Sequence, residues 1–168
     1  MATAFTPQAC QKLHAFLKRH RLAVLSSTGP DGAAQSALIN IAVTPELEII
    51  FETTCETRKF DNIERDSRVS LVIGWDGPET MQYQGVAKRP DGQQRQRARD
   101  VFVGAFPRKE NDEFWPGNTY FLVTPHWLRF SSYYRPRFVE EYQFVLPEMH
   151  PPGLCARLKG RLGVREAR

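Results

Sequence analysis

Cysteine is scarce in this 168-residue chain and odd in number: Cys10, Cys55 and Cys155, with no C-x-x-C pair. That argues against a disulfide framework and leaves a structural zinc site without its usual ligand spacing. Long apolar runs are missing as well. None approaches the roughly 18 residues that a membrane-spanning helix needs. The opening residues, MATAFTPQACQKLHAFLKRH, carry no signal-peptide apolar core, so the expected compartment is the cytoplasm and no membrane partner is expected. No Gly-x-Gly-x-x-Gly run occurs, which counts against a Rossmann nucleotide site. Carboxylate dyads and nucleophile–base pairs are absent from the sequence pattern. His126 and His150 are too isolated in sequence to suggest a metal site or a catalytic base.

What is there describes a globular protein. The apolar share is 41%, enough for a core, and the length fits one domain near the size where a dimer adds useful buried surface. We place that domain at 1–146 and a Pro-rich, then basic, C-terminal tail at 147–168. The net charge is +4, with cations crowded into 95–99 and 157–168. Neither cluster has the interleaved aromatics of a nucleic-acid surface, so no nucleic-acid partner is expected.

Pattern and punctuation give the elements. Thr6 as N-cap and Pro7 at the first helical position open a helix over 7–19, with Ala9, Leu13, Phe16 and Leu17 on one stripe. Strands at 22–27 and 34–43 flank the Gly-Pro-Asp-Gly turn at 29–32 and make a hairpin. A strand at 47–54 precedes a short helix carrying Phe60 and Ile63, with Asp61, Glu64, Arg65 and Asp66 left for solvent. Strands at 69–75 and 79–89 follow, then a helix at 93–106 with Ala98, Val101, Phe102 and Ala105 buried. A polar loop at 107–117 carries Phe114 and Trp115, as loops that cover a site often do. Strands at 120–124, 127–133 and 138–145 complete an α+β chain dominated by an antiparallel β-barrel.

The most informative stretch is FETTCETRKFDNIERDSRVSLVIGW, 51–75. Hydroxyl residues and two adjacent cations stand at its strand-to-helix junction. The unpaired N–H groups of a helix start, its dipole and an Arg fork suit a phosphate there. By itself Thr-Arg-Lys at a helix start is more often a solvated cap. A strand, a hydroxyl pair, (Ser/Thr)-Arg-Lys, a short helix and an Arg-Val-Ser-Leu strand ending at Trp75 together resemble the pyridoxamine 5′-phosphate oxidase-like flavoproteins, FMN-binding split β-barrels with peripheral helices. The likeness covers roughly 22–144 and is sharpest over 51–85. It implies FMN as cofactor, with its phosphate held by Arg58, Lys59, Thr57 and Thr53. It also implies that the 34–43 strand lies beside the flavin ring, making Ser36, Leu38, Ile39 and Asn40 candidates. Thr80 and Gln82, on the polar face they share with Gln84, would reach the flavin held chiefly by the other subunit of a homodimer.

The likeness breaks at the substrate residues. Ile41 stands where the true oxidases place a phosphate-binding Lys, and FSSYYRPRFVEEYQF offers Arg135 and Arg137 but no Arg-x-His pair. The resemblance therefore implies an FMN-dependent oxidoreductase of unidentified substrate, not a vitamin B6 oxidase. Two other readings stay open: the same fold holding a deazaflavin or haem, and a non-enzymatic flavin-binding store, sensor or stress protein.

Overall fold

The computed structural model describes residues 5–107 and 117–144. Phe114 and Trp115 of the polar loop, and the C-terminal segment placed at 147–168, lie outside the described residues. Within them the order is α1 (Pro7–Arg19), β1 (Leu22–Thr28), β2 (Ala34–Asn40), β3 (Ala42–Val43), β4 (Ile49–Thr54), α2 (Arg58–Arg65), β5 (Arg68–Ile73), β6 (Glu79–Lys88), α3 (Gly92–Ala105), β7 (Asn118–Ser132) and β8 (Phe138–Gln143). No helix among the described residues is long and apolar enough to cross a membrane.

Every strand pairing is antiparallel, in the order β2-β1-β5-β6-β7-β4-β3, with β8 added on β7. The two ends of that order, β2 and β3, are consecutive in the chain. The stretch expected as one strand at 34–43 breaks at Ile41, whose N–H donates to Arg21 O. Its first half pairs with β1 and its second with β4. The sheet must therefore curl until its first strand runs into its last, the topology of a barrel. Pairing partners decide this break, and they lie outside any local pattern.

Alternation sets the inside. Ala23, Leu25, Val69, Leu71, Ile73, Met81, Tyr83, Phe121, Val123 and Leu128 are buried together, and α1 adds Leu13, Phe16 and Leu17 to the same core. Phe51 stacks on Phe121 at 5.4 Å and Phe16 meets Phe130 edge-on at 5.0 Å. β4 is buried on both faces because Ile50 joins Ala98 and Phe102 of α3 and Tyr120 and Leu122 of β7 in a second cluster.

Two further sequence expectations need correction. The strands expected at 120–124 and 127–133 form one, β7. Pro125 sits opposite Gly85 at a register shift between Gln84 and Gly85, a bulge where a missing N–H costs the ladder little. A Cβ on Gly85 would stand 2.5 Å from Thr124 O, so the bulge needs glycine. Leu47, expected to begin a strand, lies in the turn before β4 with φ 64°. In addition, Cys10 is disulfide-bonded, a bond that the odd cysteine count gave no reason to expect.

That turn half-buries a carboxylate. Thr44 Oγ1 accepts from the Glu48 N–H at 3.2 Å and donates to Glu48 Oε2 at 3.5 Å, while Thr124 Oγ1 donates to Oε1 at 3.5 Å. Burial pushes the Glu48 pKa up; Glu46 adds to this and Arg97 opposes it. A carboxyl raised on folding contributes stability below its unfolded value, and that contribution is lost as pH rises through the folded one. Glu48→Gln is therefore expected to raise the melting temperature at pH 7, with the advantage vanishing near pH 4. A variant less stable than the parent at pH 7 would contradict this account.

Candidate functional site

β4 ends at Thr54, and the chain turns through Cys55 and Glu56 into α2. The Cys55 N–H donates to Gly117 O at 3.1 Å and the Thr57 N–H to Thr54 O at 3.3 Å. Thr57 is the N-cap residue of α2, yet its hydroxyl makes no capping bond. It donates instead to Thr54 O at 3.0 Å and so accepts from Thr53 Oγ1 at 2.9 Å. Both threonine hydrogens are thus spent within the turn, and the first N–H groups of the helix lack a side-chain acceptor.

A groove of about 220 Å³ opens at this helix start. It is lined by Leu25 and Ser27 of β1, by Gln35, Ser36 and Ala37 of β2, and by Thr57, Arg58 and Lys59. Among the described residues neither Arg58 nor Lys59 forms an ion pair. Burial pushes the Lys59 pKa down, the response of an ammonium taken partly out of water with no counter-charge beside it. Two uncompensated cations beside an uncapped helix start make a place for an anion.

Four of the residues expected from the sequence therefore meet in one groove: Ser36, Thr57, Arg58 and Lys59. Thr53 stands behind them, bonded to Thr57. The Ser36 hydroxyl, however, bonds Ser26 Oγ at 2.9 Å. Ser26 and Ser36 are paired residues of β1 and β2, so both hydroxyls face away from the inward Leu25, Ser27, Gln35 and Ala37, and Ser36 can offer the groove only its backbone. Ile39 packs into the core, its side chain facing inward. Leu38 and Asn40 lie on the outward face with Ser36.

That outward face also holds the remaining candidates. The registers align Leu38, Val24, Val72, Gln82, Arg129 and Glu141 in one row across six strands, and Ser36, Ser26, Ser70, Gln84, Trp127 and Gln143 in the next. Thr80, two residues before Gln82, donates to Ile73 O at 3.3 Å. Leu38 is 59% exposed and Val72 40%. Within one chain, then, the Arg58–Lys59 groove and the Thr80–Gln82 strip stand on opposite faces of the sheet.

Sequence reasoning missed Gln35, Ala37 and the inward residues of β1 as lining of the groove, having followed the polar positions Ser36 and Asn40, which stand on the outward face of β2. It also missed Asn62, 2% exposed on α2, which donates to Ser27 Oγ and to Gln35 Oε1, both at 3.1 Å. A polar residue between Phe60 and Ile63 at helical spacing was the available signal.

The groove suits the phosphate end of FMN, whose oxygens could accept from Arg58, Lys59 and the helix N–H groups. It has no room for the whole cofactor, so the ring would need another surface. Haem fits this donor set poorly, because among the described residues no His, Cys, Met or Tyr lines the groove.

Residues 10–130 match the family described as pyridoxamine 5′-phosphate oxidase. No curated protein matches the chain. Among solved structures, a heme binding protein from Mycobacterium smegmatis is similar with a TM-score of 0.69 at 15% identity, over 83% of this chain and 60% of that one. The chain thus spans somewhat less than two thirds of that protein's length. A pyridoxamine 5′-phosphate oxidase-related, FMN binding protein from Nostoc punctiforme gives 0.62 at 17% identity, over 84% and 93%. A Clostridium acetobutylicum protein related to general stress protein 26 gives 0.61 at 10% identity, over 83% and 96%. At such identities the likeness to these structures establishes the split-barrel fold and nothing finer.

Proposed function

Because the chain belongs to the pyridoxamine 5′-phosphate oxidase family over residues 10–130, we propose that it is a cytoplasmic, FMN-dependent oxidoreductase acting on a small molecule as a homodimer. The observation that carries the reading is the groove in which Arg58 and Lys59, both without ion-pair partners among the described residues, flank an uncapped helix start. A bound FMN supplies the electron transfer through its ring. The chain's own part is to hold the phosphate with Arg58, Lys59 and the α2 N–H groups, and to present the outward face of β2 and β6 to the ring. Since Thr80 and Gln82 stand on the opposite face from the groove, each site would be built from both subunits.

The absorption spectrum of the purified protein tests the cofactor, because oxidised flavin, deazaflavin and haem absorb differently. A Soret band would overturn the flavin reading in favour of haem. Turnover with NADH or NADPH separates an oxidoreductase from a flavin store or sensor.

Pyridoxamine 5′-phosphate is not the expected substrate. Ile41, at the break between β2 and β3, is 2% exposed and packed in the core. It can offer a substrate phosphate no charge, and leaving a phosphate oxygen without its donor costs more than the contact was worth. Arg135 and Arg137 lie in the exposed connection between β7 and β8, and neither is followed two residues on by His. FMN-loaded protein mixed in air with pyridoxamine 5′-phosphate should release neither pyridoxal 5′-phosphate nor peroxide at a useful rate. Steady turnover saturating at micromolar substrate would refute this.

A further inference from the structure

The carboxamide of Asn62 is fully committed. Its two hydrogens go to Ser27 Oγ and Gln35 Oε1, each at 3.1 Å. Its oxygen accepts from Arg65 Nη2 at 3.1 Å, and the same Nη2 donates to Thr28 O at 2.7 Å. The arrangement has one sense only. Turned over, the amide would set its oxygen against Gln35 Oε1 and its hydrogens against the Arg65 guanidinium, two donors facing each other. Asn62 is almost wholly buried, so such a mismatch would find no water to relieve it.

That fixed sense passes outward to two groove residues. Ser27 Oγ is occupied as an acceptor, so its own hydrogen remains to be donated. Gln35 is occupied at Oε1, so its NH2 remains. Both residues line the groove that Arg58 and Lys59 line from the other side, and Ser27 is only 6% exposed. The threonine hydroxyls, by contrast, have spent their hydrogens in the turn.

We infer that Ser27 and Gln35 are donors to a phosphate monoester bound in this groove, and that Asn62 is the positioning residue that holds them in the donating sense. The inference rests on the FMN reading and adds a second bank of donors to it, on β1 and β2 opposite the cations of α2. A phosphate dianion offers acceptor oxygens in every direction and can use both banks. A ligand with a single carbonyl could not.

The test compares FMN with riboflavin, which lacks only the phosphate, by fluorescence titration of the full-length protein freed of cofactor. Asn62→Asp keeps shape and the Arg65 contact but replaces two donated hydrogens by acceptors, so the Ser27 hydroxyl and the Gln35 amide turn inward. Ser27→Ala removes one donor without touching the charge. FMN affinity should fall about tenfold or more in Asn62→Asp and several-fold in Ser27→Ala, while riboflavin affinity stays within about twofold in both. A purely structural role for Asn62 would weaken both ligands together, and that result overturns the inference. So does Ser27→Ala binding FMN as the parent does. If the parent protein itself binds FMN no better than riboflavin and inorganic phosphate does not compete, the FMN reading fails and this inference with it. A parent that discriminates, with variants that discriminate equally, overturns the donor assignment alone.

Discussion

Replacing Arg58 and Lys59 together with alanine should weaken FMN binding at least tenfold and leave the barrel folded. A hydrogen bond to a charged group contributes about 1.5–3 kcal/mol. Two independent ones would give a loss of roughly 10² to 10⁴ in affinity, but the residues are adjacent and share one phosphate, so their effects will not add in full. Folding should tolerate the change, because neither side chain belongs to a core cluster or an ion pair among the described residues. The pH dependence supplies a second signature. Burial lowers the Lys59 pKa in the free protein, and a phosphate beside it would push that value back up. Binding would then take up a proton, and affinity should decline as pH rises past the lowered Lys59 pKa. Lys59→Ala alone should abolish that alkaline decline. Unchanged FMN affinity in the double variant, measured by fluorescence quenching, would remove the groove from consideration as a phosphate site.

Thr57, Arg58 and Lys59 were legible in the sequence because they are consecutive and stand between an apolar strand and an amphipathic helix. The helix after them was legible from Phe60 and Ile63. What could not be read was long-range. The break at Ile41 depends on β1 and β4 competing for one stretch of chain, and Pro125 continues a strand only because Gly85 on the neighbouring strand accommodates a bulge. The face of β2 that lines the groove was missed for a different reason. Ser36 and Asn40 share theirs with the exposed Leu38, while Gln35 shares the other with Ala37 and the buried Ile39. Each face mixes polar and apolar side chains, so hydropathy cannot choose between them. Asn62 escaped attention because its partners, Ser27 and Gln35, are 35 and 27 residues away.

Replacing Leu38 and Val72 together with aspartate should convert the proposed dimer to a monomer and greatly weaken FMN binding with it. The two positions lie on the outward row shared by Val24 and Gln82, where Leu38 and Val72 are among the large apolar side chains left in solvent, as are Leu22 and Val139. Exposed apolar side chains gathered on one sheet face, edged by serines and glutamines, are what a partner surface looks like before it is covered. In a two-fold interface each substitution appears twice, so four carboxylates would be brought into one apolar patch, and burying them would cost more than the contact provides. The interior should be unaffected, because both side chains point away from the core. Loss of FMN follows from geometry: Arg58 and Lys59 would remain, but the Thr80–Gln82 strip lies across the sheet from them and can reach the same ligand only from a second copy. Sedimentation of the parent and the variant, each titrated with FMN, measures both effects at once. A variant that sediments as a dimer would place the interface elsewhere, and a monomer that still binds one FMN per chain with the parent's affinity would show that each site is complete within a single subunit.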